Sequence, residues 1–406
     1  MNIDFIQRFR GKVFTEFENH LLPFWMNIPL DQTSGGFYGR IHKNLQIEAD
    51  APKGLVLNSR LLWTFSSVYR FNPNPHLLKL AQRAYQYLVD HFWDKVYGGM
   101  FWLLDSHGNP LDAGKKVYGQ AFALYGLSEY YAASGDQSAL NTAVELYHLI
   151  EQHHCDSIYQ GYRETSHRDW SEAENQQLSE VDMNVVKSMN AHLHLLEAYA
   201  NLLLVWEDST LRRQLTELVD VFLTRIADDE TGHFKLFFDQ QWQSRSAAVS
   251  FGHDIEGSWL LCRAAEILGD QNRIRYVRPV TERLVNATLA EGMNEDGGIY
   301  FQRNNKNLLD TDVHWWVQAE AIVGFVNHYQ LTHCEEMLQA AYDAWEFVEK
   351  HLVDREHGEW FYKVDQDRQT DLNMFKVSEW KGPYHNCRAC MEIIRRLDQI
   401  IEPLEA

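Results

Sequence analysis

Apolar residues recur at spacings of three and four over Leu55–Tyr69 and again over Leu77–His91, the period of one helical face. The same pattern predicts helix pairs near 115–133 and 136–153, 183–206 and 210–227, 248–269 and 271–290, and 312–330 and 335–352. A helix near 383–397 is left to pair with one near 3–22. The periodicity therefore predicts about twelve helices in six pairs.

A second period punctuates the first. A glycine turn followed by a short aromatic strand recurs as SGGFYGR, YGGMFWLLD, YQGYRE, TGHFKLFFD, DGGIYFQR and HGEWFYKVD, with glycines at 36, 99, 161, 232, 298 and 358. Repeats of 60 to 71 residues, each one helix pair, cannot bury their apolar faces alone and must stack on neighbours. Six pairs that close on themselves make an all-α (α/α)6 barrel with short β-hairpins at one end. An open helical scaffold is the plainer alternative. Such scaffolds join their helices by short polar turns, and the long aromatic hairpins weigh against one. No Pro/Ser-rich linker interrupts the pattern, so residues 1–406 are expected to form one domain.

Charge narrows the ligand. With 37 Lys and Arg against 57 Asp and Glu, the net charge is −20 and repels nucleic acid and anionic membranes alike. Neutral small molecules remain. No stretch approaches the roughly 20 apolar residues of a membrane helix. The start, MNIDFIQRFRGKVF, has no apolar core after a basic head, and the five cysteines are scattered, so a cytoplasmic protein without disulfides is expected.

Four segments hold polar groups that packing alone does not require. In SFGHDIEGSWLL, His253 and Glu256 stand one helical turn apart, where a carboxylate would raise the pKa of an imidazole and suit it to acid catalysis. An exposed local charge pair is the ordinary explanation of such spacing. In EWKGPYHNCRACMEII, Pro383 opens a helix and places His385 at its N-terminus, whose partial positive charge favours a neutral, basic imidazole. Cys387 and Cys390 read as small buried residues, since no second Cys pair accompanies them. In KSMNAHLHLLEAYANLL, Lys187, Asn190, His194 and Glu197 form one polar stripe, either a solvated outer face or the inner wall of a ring. In DVHWWVQAEAIVGF, one of Trp315 and Trp316 is expected in the core, while a Trp on a pocket wall could face the C–H side of a sugar ring. Arg60 and Tyr118 add polar groups among apolar neighbours.

The blocks NSRLLW, YGQAFALYGLSEYY, KSMNAHLHLLEAY, FGHDIEGSWLL, WWVQAEAIVGF and EWKGPYHNCRACME resemble, in order, those of the N-acylglucosamine 2-epimerase superfamily, and of its cellobiose 2-epimerase branch in particular. HDIE combined with W-K-x-P-Y-H-N is the most specific part. The resemblance implies that His253 and His385 are an acid/base pair supported by Glu256 and His194. It implies that Arg60, Tyr118, Asn190 and Trp316 bind the reducing-end sugar, with Asp182 as an addition, and that Trp380 stacks on a second sugar. Cys387 and Gly257 depart from the pattern, where relatives carry Gly and Ala.

The implied reaction opens the sugar ring, removes the C2 proton to give a cis-enediolate, and returns a proton on the other face. Two imidazoles suffice for this near neutral pH, with no cofactor and no metal. Interconversion of glucose with mannose, or aldose–ketose isomerisation, are the near alternatives. A glycoside hydrolase using Asp182 and Glu256 is a different reading, as is a metal-dependent isomerase with His194, His253, Glu256 and His385 as ligands. A non-catalytic sugar-binding protein is the last.

Overall fold

The computed structural model describes residues 3–371 and 373–405. Helix α1 (Ile3–Glu16) runs through a π-turn into α2 (Leu22–Asn27) without a break in helical backbone. Four helices follow as α3 (Leu55–Phe71), α4 (Pro75–Tyr87), α5 (Val117–Ser134) and α6 (Gln137–His153). Next come α7 (Met189–Leu203), α8 (Ser209–Val221), α9 (Phe251–Leu268) and α10 (Gln271–Ala287). The chain ends with α11 (Trp315–Thr332), α12 (Glu335–Phe347) and α13 (Tyr384–Glu405). The expected helix over 183–206 starts later, at Met189, because residues 167–186 form an irregular loop.

Helices α3, α5, α7, α9, α11 and α13 each pack on the next, and α13 packs back on α3. The ring is closed. The others stand outside it, α1 against α13. Composition sorts the two layers. VYGQAFALYGLSEYYAAS in α5 is apolar on every side and buried from Val117 to Tyr130, as an inner helix must be. STLRRQLTELVDV in α8 buries a stripe containing Leu211, Leu215, Leu218 and Val219 and leaves its polar side to solvent. Gly126 lets α5 approach α3, since a Cβ there would lie 2.9 Å from the Ser59 carbonyl oxygen.

Each inner helix is led in by a two- or three-residue strand that pairs antiparallel with the strand following its outer partner. Lys53–Gly54 pairs with Leu103–Leu104 and Lys115–Lys116 with Thr165–Ser166, and so on round the barrel. Phe375–Val377 pairs with Ile41–His42 and joins the last repeat to the first. All six inner helices therefore start at the strand end. If the chemistry-bearing helix starts had alternated between the two ends, they could not have met in one place.

Four of the six glycine turns are held by a device that composition did not reveal. Asp31, Asp94, Asp156 and Asp354 each accept backbone N–H groups two and three residues on, and each meets a buried lysine: Lys53 at 2.7 Å, Lys115 at 3.2 Å, Lys187 at 3.0 Å and Lys376 at 2.7 Å. Lys187 thus belongs to a strand and a turn, and the expected polar stripe of α7 begins only at Asn190. No helix among the described residues is long and apolar enough to cross a membrane.

Candidate active site

A cavity of about 240 Å³ opens at the strand end. Its walls include Arg60 from α3, Tyr118 from α5, Asn190 and His194 from α7, His253 and Glu256 from α9, Trp316 from α11 and His385 from α13. The loop before α7 contributes Asp182, and the loop before α13 contributes Trp380. All ten candidates from the sequence line this one space. Each helical one lies within the first two turns of an inner helix, and those starts converge because the lead-in strands pin them to one end.

The two candidate imidazoles meet on one aromatic ring. The centroid of Trp316 is 4.9 Å from that of His253 and 5.5 Å from that of His385. Trp315 and Trp316 both line the cavity, so neither is purely core. His385 Nδ1 lies 2.7 Å from Glu320 Oε1. The carboxylate accepts, so Nδ1 carries the proton and Nε2 keeps its lone pair. Burial, reinforced by the positive charges of Arg60 and Arg388, holds the His385 pKa well below the usual histidine range. His253 Nδ1 is anchored 2.7 Å from Ser250 Oγ. Burial pushes His253 down to about 3. The expectation that Glu256 raises His253 therefore fails, because Glu256 turns away to Arg388.

Arg60 spans the cavity wall, donating from Nη2 to the Tyr118 hydroxyl at 3.0 Å and from Nη1 to the Trp380 carbonyl at 2.8 Å. Its guanidinium lies 4.4 Å from the Phe122 ring centroid. Asn190 Oδ1 is buried and has no hydrogen-bond partner among the described residues. Asp182 is tied to its own loop, accepting from Ser179 Oγ at 2.6 Å. The rings of Trp380 and Trp102 lie 5.9 Å apart.

Beneath the cavity is a charge cluster that the sequence did not announce. Arg388 donates through Nη2 to Glu256 at 2.8 Å and Glu320 at 2.7 Å, and through Nη1 to Glu197 and the Tyr384 hydroxyl. Glu197 in turn holds His194 Nδ1 at 3.2 Å. One guanidinium thus fixes the carboxylates behind two of the four candidate catalytic side chains. Glu320 sits in an apolar helical run, WWVQAEAIVGF, and a charge with no local partner there was the available signal.

The N-acylglucosamine 2-epimerase (GlcNAc 2-epimerase) family model matches residues 36–389. A cellobiose 2-epimerase of Bacteroides fragilis is 44% identical over 380 residues, covering 93% of this chain and 97% of that one. The chain belongs to the N-acylglucosamine 2-epimerase family. Among solved structures, the cellobiose 2-epimerase of Bacillus thermoamylovorans superposes with a TM-score of 0.92 at 38% identity, over 96% of this chain and all of that one. That of Spirochaeta thermophila gives 0.91 at 38% identity, over 98% of each.

Within this member of the family, the two departures noted in the sequence have a structural setting. Gly257 faces the Phe234 ring so closely that a Cβ would sit 2.2 Å from Cε2. The glycine and the phenylalanine form one fitted pair. Cys387 and Cys390 are free, fully buried thiols in α13 whose pKa burial drives well above the ordinary range.

Proposed function

We propose that this epimerase interconverts the gluco and manno configurations at C2 of a reducing-end sugar, cellobiose to glucosyl-mannose, without cofactor or metal. The observation that carries the reading is the placement of His253 and His385 on one Trp316 ring inside a single cavity.

In this scheme an imidazole relays the C1 hydroxyl proton to the ring oxygen and the ring opens. His385, neutral and with Nε2 free, takes the C2 proton of the gluco sugar and becomes imidazolium. The electron pair from the C–H bond moves into the carbonyl to give a cis-enediolate, beside the fixed charge of Arg60. The proton passes over the enediolate oxygens to His253, which delivers it to the other face of C2 after rotation about C2–C3. The reverse reaction exchanges the two roles. Tyr118 and Asn190 bind hydroxyls, Trp316 packs on the sugar chain, His194 and Glu256 support the reacting atoms, and Asp182 closes the rim. Trp380 stacks on the second ring.

Trp380 on the cavity wall, with the Trp102 ring 5.9 Å from it, supports a disaccharide over a monosaccharide, since an aromatic face can pack on a second sugar ring. A glycoside hydrolase fits less well, because Asp182, the second carboxylate it would need, is held by its own loop. Among the described residues Glu256, Glu320 and His385 could hold a metal ion, but Arg388 already bonds both glutamates. Incubation with cellobiose, lactose, glucose, mannose and N-acetylglucosamine in D2O, followed by NMR, tests the reading. Deuterium at C2 and a disaccharide of otherwise unchanged structure are expected. Released glucose, or loss of activity with EDTA, would decide against it.

A further inference from the structure

The cluster under the cavity has three carboxylates, Glu197, Glu256 and Glu320, around one guanidinium, all fully or almost fully buried. Their hydrogen bonds are unequally shared. Glu197 accepts from Arg388, from the Tyr384 hydroxyl and from His194. Glu320 accepts from Arg388, from His385 and from Trp259 Nε1 at 3.0 Å. Among the described residues Glu256 accepts only from Arg388, at Oε1, and its Oε2 is buried with no partner. It is also the one of the three that lines the cavity where the sugar would bind.

A buried anion with an unpaired oxygen costs far more than a neutral acid in the same place. Every group facing Glu256 has a share in that balance. Arg388 alone gives it a cation in contact, Glu320 and Glu197 repel a second and third charge, and His385 and His253 are neutral. Tyr118 and Tyr384 keep their protons, the first with a pKa pushed up to about 12 by burial. We infer that Glu256 remains a neutral carboxylic acid through the reaction and donates a hydrogen bond from Oε2 to the enediolate oxygen. Burial together with the neighbouring Glu320 drives its pKa well above the carboxylate range, in the same sense. No proton leaves the group; a preformed donor meets the charge as it develops. The inference rests on the epimerase reading.

Isotope-edited infrared difference spectra between wild type and Glu256→Gln read the protonation state without turnover. The carbonyl band of a protonated carboxyl at neutral pH is expected, and a carboxylate band overturns the inference. Glu256→Gln keeps both an acceptor for Arg388 and a donor for the sugar, so its kcat is expected within about tenfold of wild type, whereas Glu256→Ala loses about 10²-fold to 10³-fold. A glutamine variant as impaired as the alanine variant also overturns it. If wild type exchanges no C2 hydrogen with any sugar, it is the epimerase reading that fails, and the infrared band still decides where the proton resides.

Discussion

His385 Nδ1 and Glu320 Oε1 lie 2.7 Å apart, joining α13 to a residue 65 positions earlier in α11. The contact fixes the imidazole tautomer and leaves Nε2 as the basic nitrogen. Glu320 accepts in addition from Arg388 and Trp259, so its own position is fixed from three sides. Glu320→Ala is expected to lower kcat about 10²-fold to 10³-fold with an unchanged circular dichroism spectrum, the scale of misplacing one proton-transfer group. Near-normal turnover would show that the tautomer is set otherwise.

The pH profile follows from the two imidazoles. Both are held below the usual histidine value, His253 at about 3. A base whose pKa is lowered stays unprotonated as pH falls, so the active form persists below the ordinary histidine range. The acid limb of kcat/KM should not appear near pH 6.5, the unperturbed value. A midpoint there would place the working histidine in water rather than in this cavity.

Trp380→Ala tests whether binding of the second sugar is separate from the chemistry. Trp380→Ala removes the wall of the outer sugar but leaves His253, His385 and their partners in place. KM for cellobiose should rise several-fold to about a hundredfold, the range of a lost aromatic contact of ~1–3 kcal/mol, while kcat changes little. Rates with monosaccharides should hardly move. An equal loss for glucose and cellobiose would put Trp380 at the reacting ring instead.

Gly257→Ala tests the fitted pair in α9. The added methyl meets the Phe234 ring at 2.2 Å, and destabilisation by about 1–3 kcal/mol is expected, read as a lowered Tm. Combining it with Phe234→Leu should recover part of the loss. An unchanged Tm in the single variant would mean that the ring yields freely.

The barrel was legible because a helix pair leaves two kinds of mark on a chain. Apolar spacing along 55–91 and 115–153 reports which faces are buried, and the glycine–aromatic turns report where one pair ends and another begins. Closure of the ring is a property of the α13–α3 and Phe375–Val377 contacts, which no local window contains.

The site was legible residue by residue and not as an electrostatic system. Spacing by itself put His253 beside Glu256, and from a helix alone a raised imidazole pKa was the sound conclusion. Folding brings Arg388 to Glu256 from 132 positions away, and the stronger partner takes the carboxylate. Glu320, a lone charge in an apolar helix, and Arg388 have meaning only when α7, α9, α11 and α13 meet. Residue order therefore determined the repeats, the layers and the side chains at hand, because those depend on periodicity over a few turns. Tertiary structure decided which charges pair, which protons stay and which nitrogen is basic, because burial and Coulomb interaction depend on distances that the sequence does not contain.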